Sequence, residues 1–306
     1  MEDTIIDALL GDVKTKEQKR EQGRRRALEI SIAKQVAAGS NNAENIRKNR
    51  KSDRHGSRNQ HRHKHFARWI LQKFPDIVDD TNNFHVLDIA GGKGELSARL
   101  ALCHSLRVVM IDPRPADLSY VYLNSVVPKL PKKWQNSLEE RLRHTPTFVE
   151  DEIRNRFSQI VTHFSISPHK NNSCNNGGND DDSTKERNLF EDEAVENAVQ
   201  NAALIIGLHA DGATEAIVDA AIHYNKPFVI VPCCVFPNLF NDRFIYLDDD
   251  SNTSCGEEMK KRVAVRTHEQ FCKYLLDKDD RFRKEILPFE GRNVAIWWDG
   301  CSTSAA

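Results

Sequence analysis

Apolar positions in this chain of 306 residues gather into short continuous runs, separated by stretches with helical spacing. His85 to Ile89 and Val108 to Ile111 are apolar runs of strand length. Between them a glycine-dense turn, Ala90 to Gly94, leads into an amphipathic segment. Strand, tight turn, helix and strand is the βαβ order of a parallel sheet. Thr147-Phe148-Val149 reads as a weak third strand. Ala203 to Leu208 and Phe228 to Val231 are continuous apolar runs of the kind found in buried parallel strands. Helices are expected over Phe190 to Ala202 and from about Thr214 to Tyr224. Near the end, Glu285 to Phe289, the turn Glu290 to Asn293 and Val294 to Trp298 predict a hairpin. The pattern describes a doubly wound α/β domain, its sheet mostly parallel and closed by a C-terminal antiparallel hairpin.

The flanks differ from this core. Residues 1–60 hold few large apolar side chains, and Gly39 to Asn42 interrupts their helical pieces. They are expected to form a basic, largely disordered N-terminal arm. From His61 onward Phe66, Trp69, Ile70 and Phe74 recur at helical spacing up to Pro75, which predicts a helix packed on the domain edge. The domain then covers 61–306. Inside it, Asn171 to Arg187 has almost no apolar residues, so a disordered insertion is expected at about 168–188.

Charge sharpens the view of the arm. The formal net charge is -1, yet residues 14–73 carry 18 Lys and Arg against 5 Asp and Glu, a local charge of +13. Cations in such a segment could contact RNA phosphate and release counterions. The run Arg54 to His65 is basic and rich in His, and Phe66 and Trp69 beside it could stack on bases, although their spacing suits core. No apolar run approaches the roughly 18 residues that span a bilayer. The seven Cys are odd in number and irregular in spacing, so reduced thiols and no disulfide framework are expected. A soluble, cytoplasmic protein with no membrane partner follows, and Arg24 to Arg26 and Arg47 to Lys51 could take it into the nucleus.

The glycine turn carries the chemistry. Gly91, Gly92 and Gly94 let a ligand lie against the backbone, and Asp112 ends the second strand where it could accept hydrogen bonds from ribose hydroxyls. A dinucleotide fold would place a third glycine where Ser97 stands, and Asp88 in the first strand would repel a pyrophosphate. An acid there suits a cationic sulfonium and its ammonium group.

Val86-Leu87-Asp88-Ile89-Ala90-Gly91-Gly92-Lys93-Gly94 resembles the first motif of the class I S-adenosylmethionine-dependent methyltransferases, except that Ala90 replaces its first glycine. The resemblance runs from about Phe66 to Trp298 and implies a Rossmann-like sheet with S-adenosylmethionine as cofactor. Gly207 to Thr214 and Val231-Pro232-Cys233-Cys234 look like the His-containing fourth motif and the Pro-Cys-Cys motif of one branch. That branch includes glutathione S-transferase C-terminal-domain-containing proteins and tRNA acceptor-stem 2'-O-methyltransferases, so RNA is the implied substrate. The family pattern puts Asp88 and Gly92 on the methionine part, Asp112 on the ribose and Glu150 or Asp151 near the adenine, with Ala90, Gly91 and Gly94 as the remaining cofactor-binding residues of the turn.

His209 and Asp211 follow the fourth strand, where His209 could act as a general base or orient a hydroxyl or nitrogen acceptor. Asp211 or Thr214 could equally cap the next helix. Cys233 and Cys234 read as small buried hydrophobes or, less simply, as a thiolate nucleophile for pyrimidine C5 methylation. Adjacent cysteines are awkward chelators and no second pair has ligand spacing, so no metal is expected. Two other functions fit the same fold: a non-catalytic RNA-binding or scaffold protein, and a dinucleotide-dependent oxidoreductase.

Overall fold

The computed structural model describes residues 61–78, 85–166, 189–248 and 260–301, so the predicted arm and insertion lie outside the described residues. Within them the apolar runs become strands β1 (His85–Ile89), β2 (Val108–Ile111), β3 (Phe157–Ile160), β4 (Ala202–Leu208) and β5 (Phe228–Val231). A two-stranded sheet, β6 (Phe244–Asp248) with β7 (Lys260–Ala264), stands apart. β8 (Arg283–Ile286) and β9 (Val294–Trp298) form the expected hairpin. The main sheet has the order β3-β2-β1-β4-β5-β9-β8. Its first five strands pair in parallel, whereas β9 runs antiparallel to both β5 and β8.

Eight α-helices accompany the strands among the described residues: α1 (Arg62–Lys73), α2 (Glu95–His104), α3 (Leu118–Val121), α4 (Lys132–His144), α5 (Phe148–Arg156), α6 (Glu193–Gln200), α7 (Thr214–His223) and α8 (His268–Leu276). Alternation along each strand sorts side chains to two faces. Leu87, Ile89, Ile205, Phe228 and Ile230 pack with Val199 of α6, Ile217 of α7 and Phe271 of α8. Val86, Leu204, Ile206, Val229 and Trp297 pack on the other face with Phe66 and Ile70 of α1 and Leu100 of α2. Both faces are covered, which is why these strands read as unbroken apolar runs. Each such side chain contributes about 1.5–3 kcal/mol on full burial. The same alternation sends Asp88 to the face of α2.

The third strand corrects the sequence pattern. Thr147 to Val149 opens α5 instead, and the strand is Phe157–Ile160. The acids that follow Val149 explain the difference. Arg154 pairs with Asp151 at 3.0 Å and Arg156 with Glu152 at 2.9 Å, and Glu150 and Asp151 lie in the first helical turn, where carboxylates suit the dipole. Val149 packs in a cluster with Leu118 and Leu138, with Ile153 packed against it. β6, β7 and α8 have no counterpart in the apolar pattern. For α8 a signal was present, the capping box of Thr267 and Gln270.

α1 is bound to the hairpin end of the sheet. Trp69 lies edge-on to Trp297 with ring centres 5.9 Å apart, and its Nε1 donates to Glu285 Oε1 at 2.9 Å. Lys73 pairs with the same carboxylate at 2.7 Å. Phe66 and Trp69 are therefore core, and the reading of them as a stacking surface for bases fails. Phe66→Ala is expected to lower unfolding free energy by about 3–5 kcal/mol in a urea titration. Tyr246→Ala, at a 58% exposed position, should stay within about 0.5 kcal/mol of the parent.

Candidate functional site

The strand order itself locates a crevice. From β1 the chain moves outward through β2 to β3, then returns to the opposite side of β1 at β4. Open α/β sheets bind ligands outside the carboxyl ends of the strands at such a reversal. The Ala90–Gly94 turn, Asp112, the His209–Asp211 loop and the Pro232–Cys234 segment all leave strands at this edge.

The turn after β1 is held by its own backbone. Ala90 has φ 55 and donates its N–H to the Ile111 carbonyl at 2.7 Å, so an alanine occupies a left-handed position that glycine would fill more easily. Gly91 passes so close beneath that a Cβ would stand 2.6 Å from Met110 Sδ and 2.9 Å from Asp88 Oδ2. Asp88 is 1% exposed, and Ser97 Oγ donates to its Oδ2 at 2.6 Å. Asp88, which the family pattern places on the methionine part, is therefore buried directly beneath the turn. Burial pushes its carboxyl up to about 7; the Asp112 charge adds to this and the Ser97 hydrogen bond opposes it.

Asp112 stands at the end of β2 and accepts from the Gly92 N–H at 2.8 Å. Arg114, two residues on, wraps back on it through its backbone N–H at 2.9 Å, Nε at 3.0 Å and Nη2 at 3.2 Å. Burial alone would raise the Asp112 carboxyl, but the Arg114 guanidinium and the two N–H donors outweigh it and hold it below its ordinary value. The Arg114 side chain is 74% exposed, so it covers Asp112 without being locked there. The sequence reading did not include Arg114, although a cation two residues after the acid was visible.

Across the reversal, His209 and Asp211 both adopt positive φ, 58 and 49. A carbonyl oxygen can only accept, so His209 Nε2 donates to the Arg292 carbonyl at 2.9 Å. Nδ1 is then left facing Arg62 Nη1 at 3.5 Å. Burial lowers the His209 imidazole below its ordinary value; the Arg292 carbonyl opposes this, and the charges of Arg62 and His63 add to it. Thr214 Oγ1 donates to the Asp211 carbonyl at 2.9 Å, but no side chain caps α7. The Asp211 carboxylate instead accepts from Cys233 Sγ at 3.1 Å. Burial pushes the Cys233 thiol up to about 12, and the Asp211 and Cys234 hydrogen bonds add to it, which argues against a thiolate nucleophile.

Glu150 and Asp151 are not brought to this edge by the third strand, because they precede it on α5, with Asp151 engaged by Thr147 Oγ1 at 2.8 Å and by Arg154. The residues that follow β3 are Val161, Thr162 and His163. Thr162 and His163 line a cavity of ≈ 290 Å³ with Phe190, Glu191 and Asp192. Arg62 belongs to the basic run Arg54 to His65, but its approach to His209 was not legible in the sequence, since only the packing of α1 brings it there.

By sequence, no protein family and no curated protein matches the chain. By structure it is similar to the glycopeptide N-methyltransferase MtfA complexed with (S)-adenosyl-L-methionine, at 9% identity and TM-score 0.33, over 76% of this chain and 91% of that one. The methyltransferase domain of bacterial CtHen1 is similar at 11% identity and TM-score 0.33, over 73% and 93%. TnmH is similar at 11% identity and TM-score 0.28, over 90% of this chain and 68% of that one.

One consequence of the buried acid is measurable. The Asp88 carboxyl titrates higher folded than unfolded, so its contribution to stability is present at low pH and lost as pH rises from about 4 through about 7. Asp88→Asn keeps an acceptor for Ser97 and cannot ionise. Relative to the parent, this variant should gain stability on the order of a few kcal/mol between roughly pH 4.5 and pH 8 in urea titrations. Parallel profiles for the two proteins would show that Asp88 does not titrate in this range.

Proposed function

We propose that this chain is an S-adenosylmethionine-dependent methyltransferase acting on a hydroxyl or nitrogen acceptor in RNA. The observation that carries this reading is the glycine turn and the Asp112 carboxylate meeting at the reversal of the sheet, tied by the Gly92 N–H. The donor set fits the cofactor. Asp112 offers two oxygens to a vicinal diol once Arg114 swings away, and the outer face of Gly92 is open apart from Arg114 at 3.7 Å. Asp88 places a buried acid beneath the turn, where a cationic ligand would favour its ionised form. When bound, S-adenosylmethionine supplies an electrophilic methyl group on a sulfonium.

The chain's own residues then position the acceptor. Holding nucleophile and methyl in line can supply much of such a barrier reduction. His209, neutral and fixed between Arg292 and Arg62, suits an orienting role better than that of a free base. Arg62 begins α1 at the crevice and belongs to the basic run Arg54 to His65, which supports a polyanionic acceptor.

The non-catalytic scaffold reading gains from one observation, that both His209 nitrogens and the Asp112 carboxylate are already engaged. A dinucleotide is disfavoured, because Ser97 stands where its fold wants a third glycine and donates to the buried Asp88 carboxyl beneath the turn, where a pyrophosphate would be repelled.

Calorimetry on the full chain should detect S-adenosylmethionine binding. Asp112→Ala should weaken it by about 10-fold or more, as expected for loss of a charged hydrogen-bond acceptor, and Arg114→Ala should tighten it by removing the competing guanidinium. A folded protein that binds no cofactor would sink the proposal. With binding in hand, labelled methyl transfer to RNA, protein and small-molecule fractions separates the enzyme from the scaffold.

A further inference from the structure

The Pro232–Cys234 segment and the His209–Asp211 loop leave neighbouring parallel strands, β5 and β4, at the same edge of the sheet. Their side chains converge. One ligand atom from each of Asp211, Cys233 and Cys234 lies within 4.8 Å of the other two. Cys233 Sγ is 3.1 Å from Asp211 Oδ1, and Cys234 also interacts with both Asp211 and Cys233. Adjacent cysteines inside a strand would point to opposite faces. Here the strand has ended at Val231, so the pleat no longer separates them and both thiols reach one carboxylate.

We propose that Asp211, Cys233 and Cys234 form a binding site for a soft divalent cation of the zinc class. A tetrahedral ion at about 2.3 Å from sulfur and about 2.0–2.2 Å from oxygen needs donors roughly 3.5–3.8 Å apart. The three donors already stand near that spacing, and Cys234 is exposed, so small side-chain movements close the set. The thiol-bearing segment is braced from behind. His268 Nε2 donates to the Pro232 carbonyl at 2.9 Å, and Arg243 Nη1 donates to the Val235 carbonyl at 3.1 Å while its Nε pairs with Glu215 at 2.6 Å.

The balance of protons and charge is explicit. The ion replaces the two thiol protons, which pass to solvent, and two thiolates with one carboxylate surround a charge of two with a net charge of minus one. Arg292 and Arg114 act on this cluster electrostatically, Arg292 on Cys234 and Arg114 on Asp211, and would offset that residual charge. Three protein ligands leave a fourth position for water, the arrangement of an open zinc site rather than a closed structural one. This site does not depend on the cofactor reading, since a chain that failed to bind S-adenosylmethionine would still bind the ion.

The test uses the full-length, reduced, metal-free protein titrated with Co(II) and then Zn(II). The expected result is one Co(II) per chain with a thiolate-to-cobalt charge-transfer band, displaced by Zn(II), and release of about two protons per ion. Cys233→Ser with Cys234→Ser should abolish the band. Asp211→Asn should keep the band but weaken binding by about 10-fold or more, which preserves the test if the double variant does not fold. Absence of the band, or a band and affinity unchanged in these variants, would overturn the proposal and assign any residual binding to other cysteines or to the His-rich run before α1.

Discussion

A carboxylic acid buried in the central strand is the constraint around which the rest of this site is arranged. Asp88 sits in β1, which pairs on both sides, so its side chain has nowhere to go but the face of α2. An unpaired carboxylate there would cost several kcal/mol. Ser97 must therefore stand in the first turn of α2, and Gly91 must lack a side chain for the chain to close over the acid. The glycine turn, the start of α2 and the register of β1 are thus consequences of one buried group. A hydrophobic residue at position 88 would pack more stably, which makes the acid expensive as a structural choice and sensible as a functional one.

The electrostatics of the edge extend from that group. The Asp112 charge adds to the resistance of Asp88 to ionisation from the β2 side, while Asp112 itself is held ionised by Arg114. Arg62 and Arg292 stand across the opening beside His209 and Cys234. Arg114 reaches in both directions, hydrogen-bonded to Asp112 and within electrostatic range of Asp211 across the reversal. The guanidinium is exposed and joined to a single carboxylate, so the pair is an exchangeable cover with little holding energy of its own. An arrangement of acids below and cations above suits a ligand that is cationic at its buried end and an acceptor that carries negative charge.

Much of this was legible in the sequence, for reasons that can be stated residue by residue. β1, β2, β4, β5 and β9 are buried on both faces, so their apolar runs are unbroken, and Gly91 and Asp112 flank them at readable spacing. β3 is an edge strand of the sheet with Ser158 and Gln159 in it, and it lost the apolar signal to Phe148 and Val149 of the preceding helix. Gln159 is there for a polar task, accepting from the Ala116 N–H and donating to the Asp112 and Arg114 carbonyls. Contacts between distant segments were not legible at all. The approach of Arg62 to His209 spans 147 positions, and that of Cys233 to Asp211 joins two loops whose neighbourhood follows only from the β4 and β5 pairing.

Backbone strain points independently to the same edge. Among the described residues, six that are not glycine have positive φ. Ser105 and Asn225 are accounted for by helix ends, a common place for a left-handed residue. The other four, Ala90, His209, Asp211 and Phe236, all follow the carboxyl ends of parallel strands, after β1, β4 and β5. Each such residue costs roughly 1–2 kcal/mol that a glycine would avoid. At His209 and Asp211 a glycine would relieve the strain and remove the imidazole and the carboxylate, so the backbone there is bent in order to present those side chains. Strain of this kind persists where the surrounding structure over-determines it, and here the Arg292 carbonyl, Arg62 and Cys233 supply the contacts that do so.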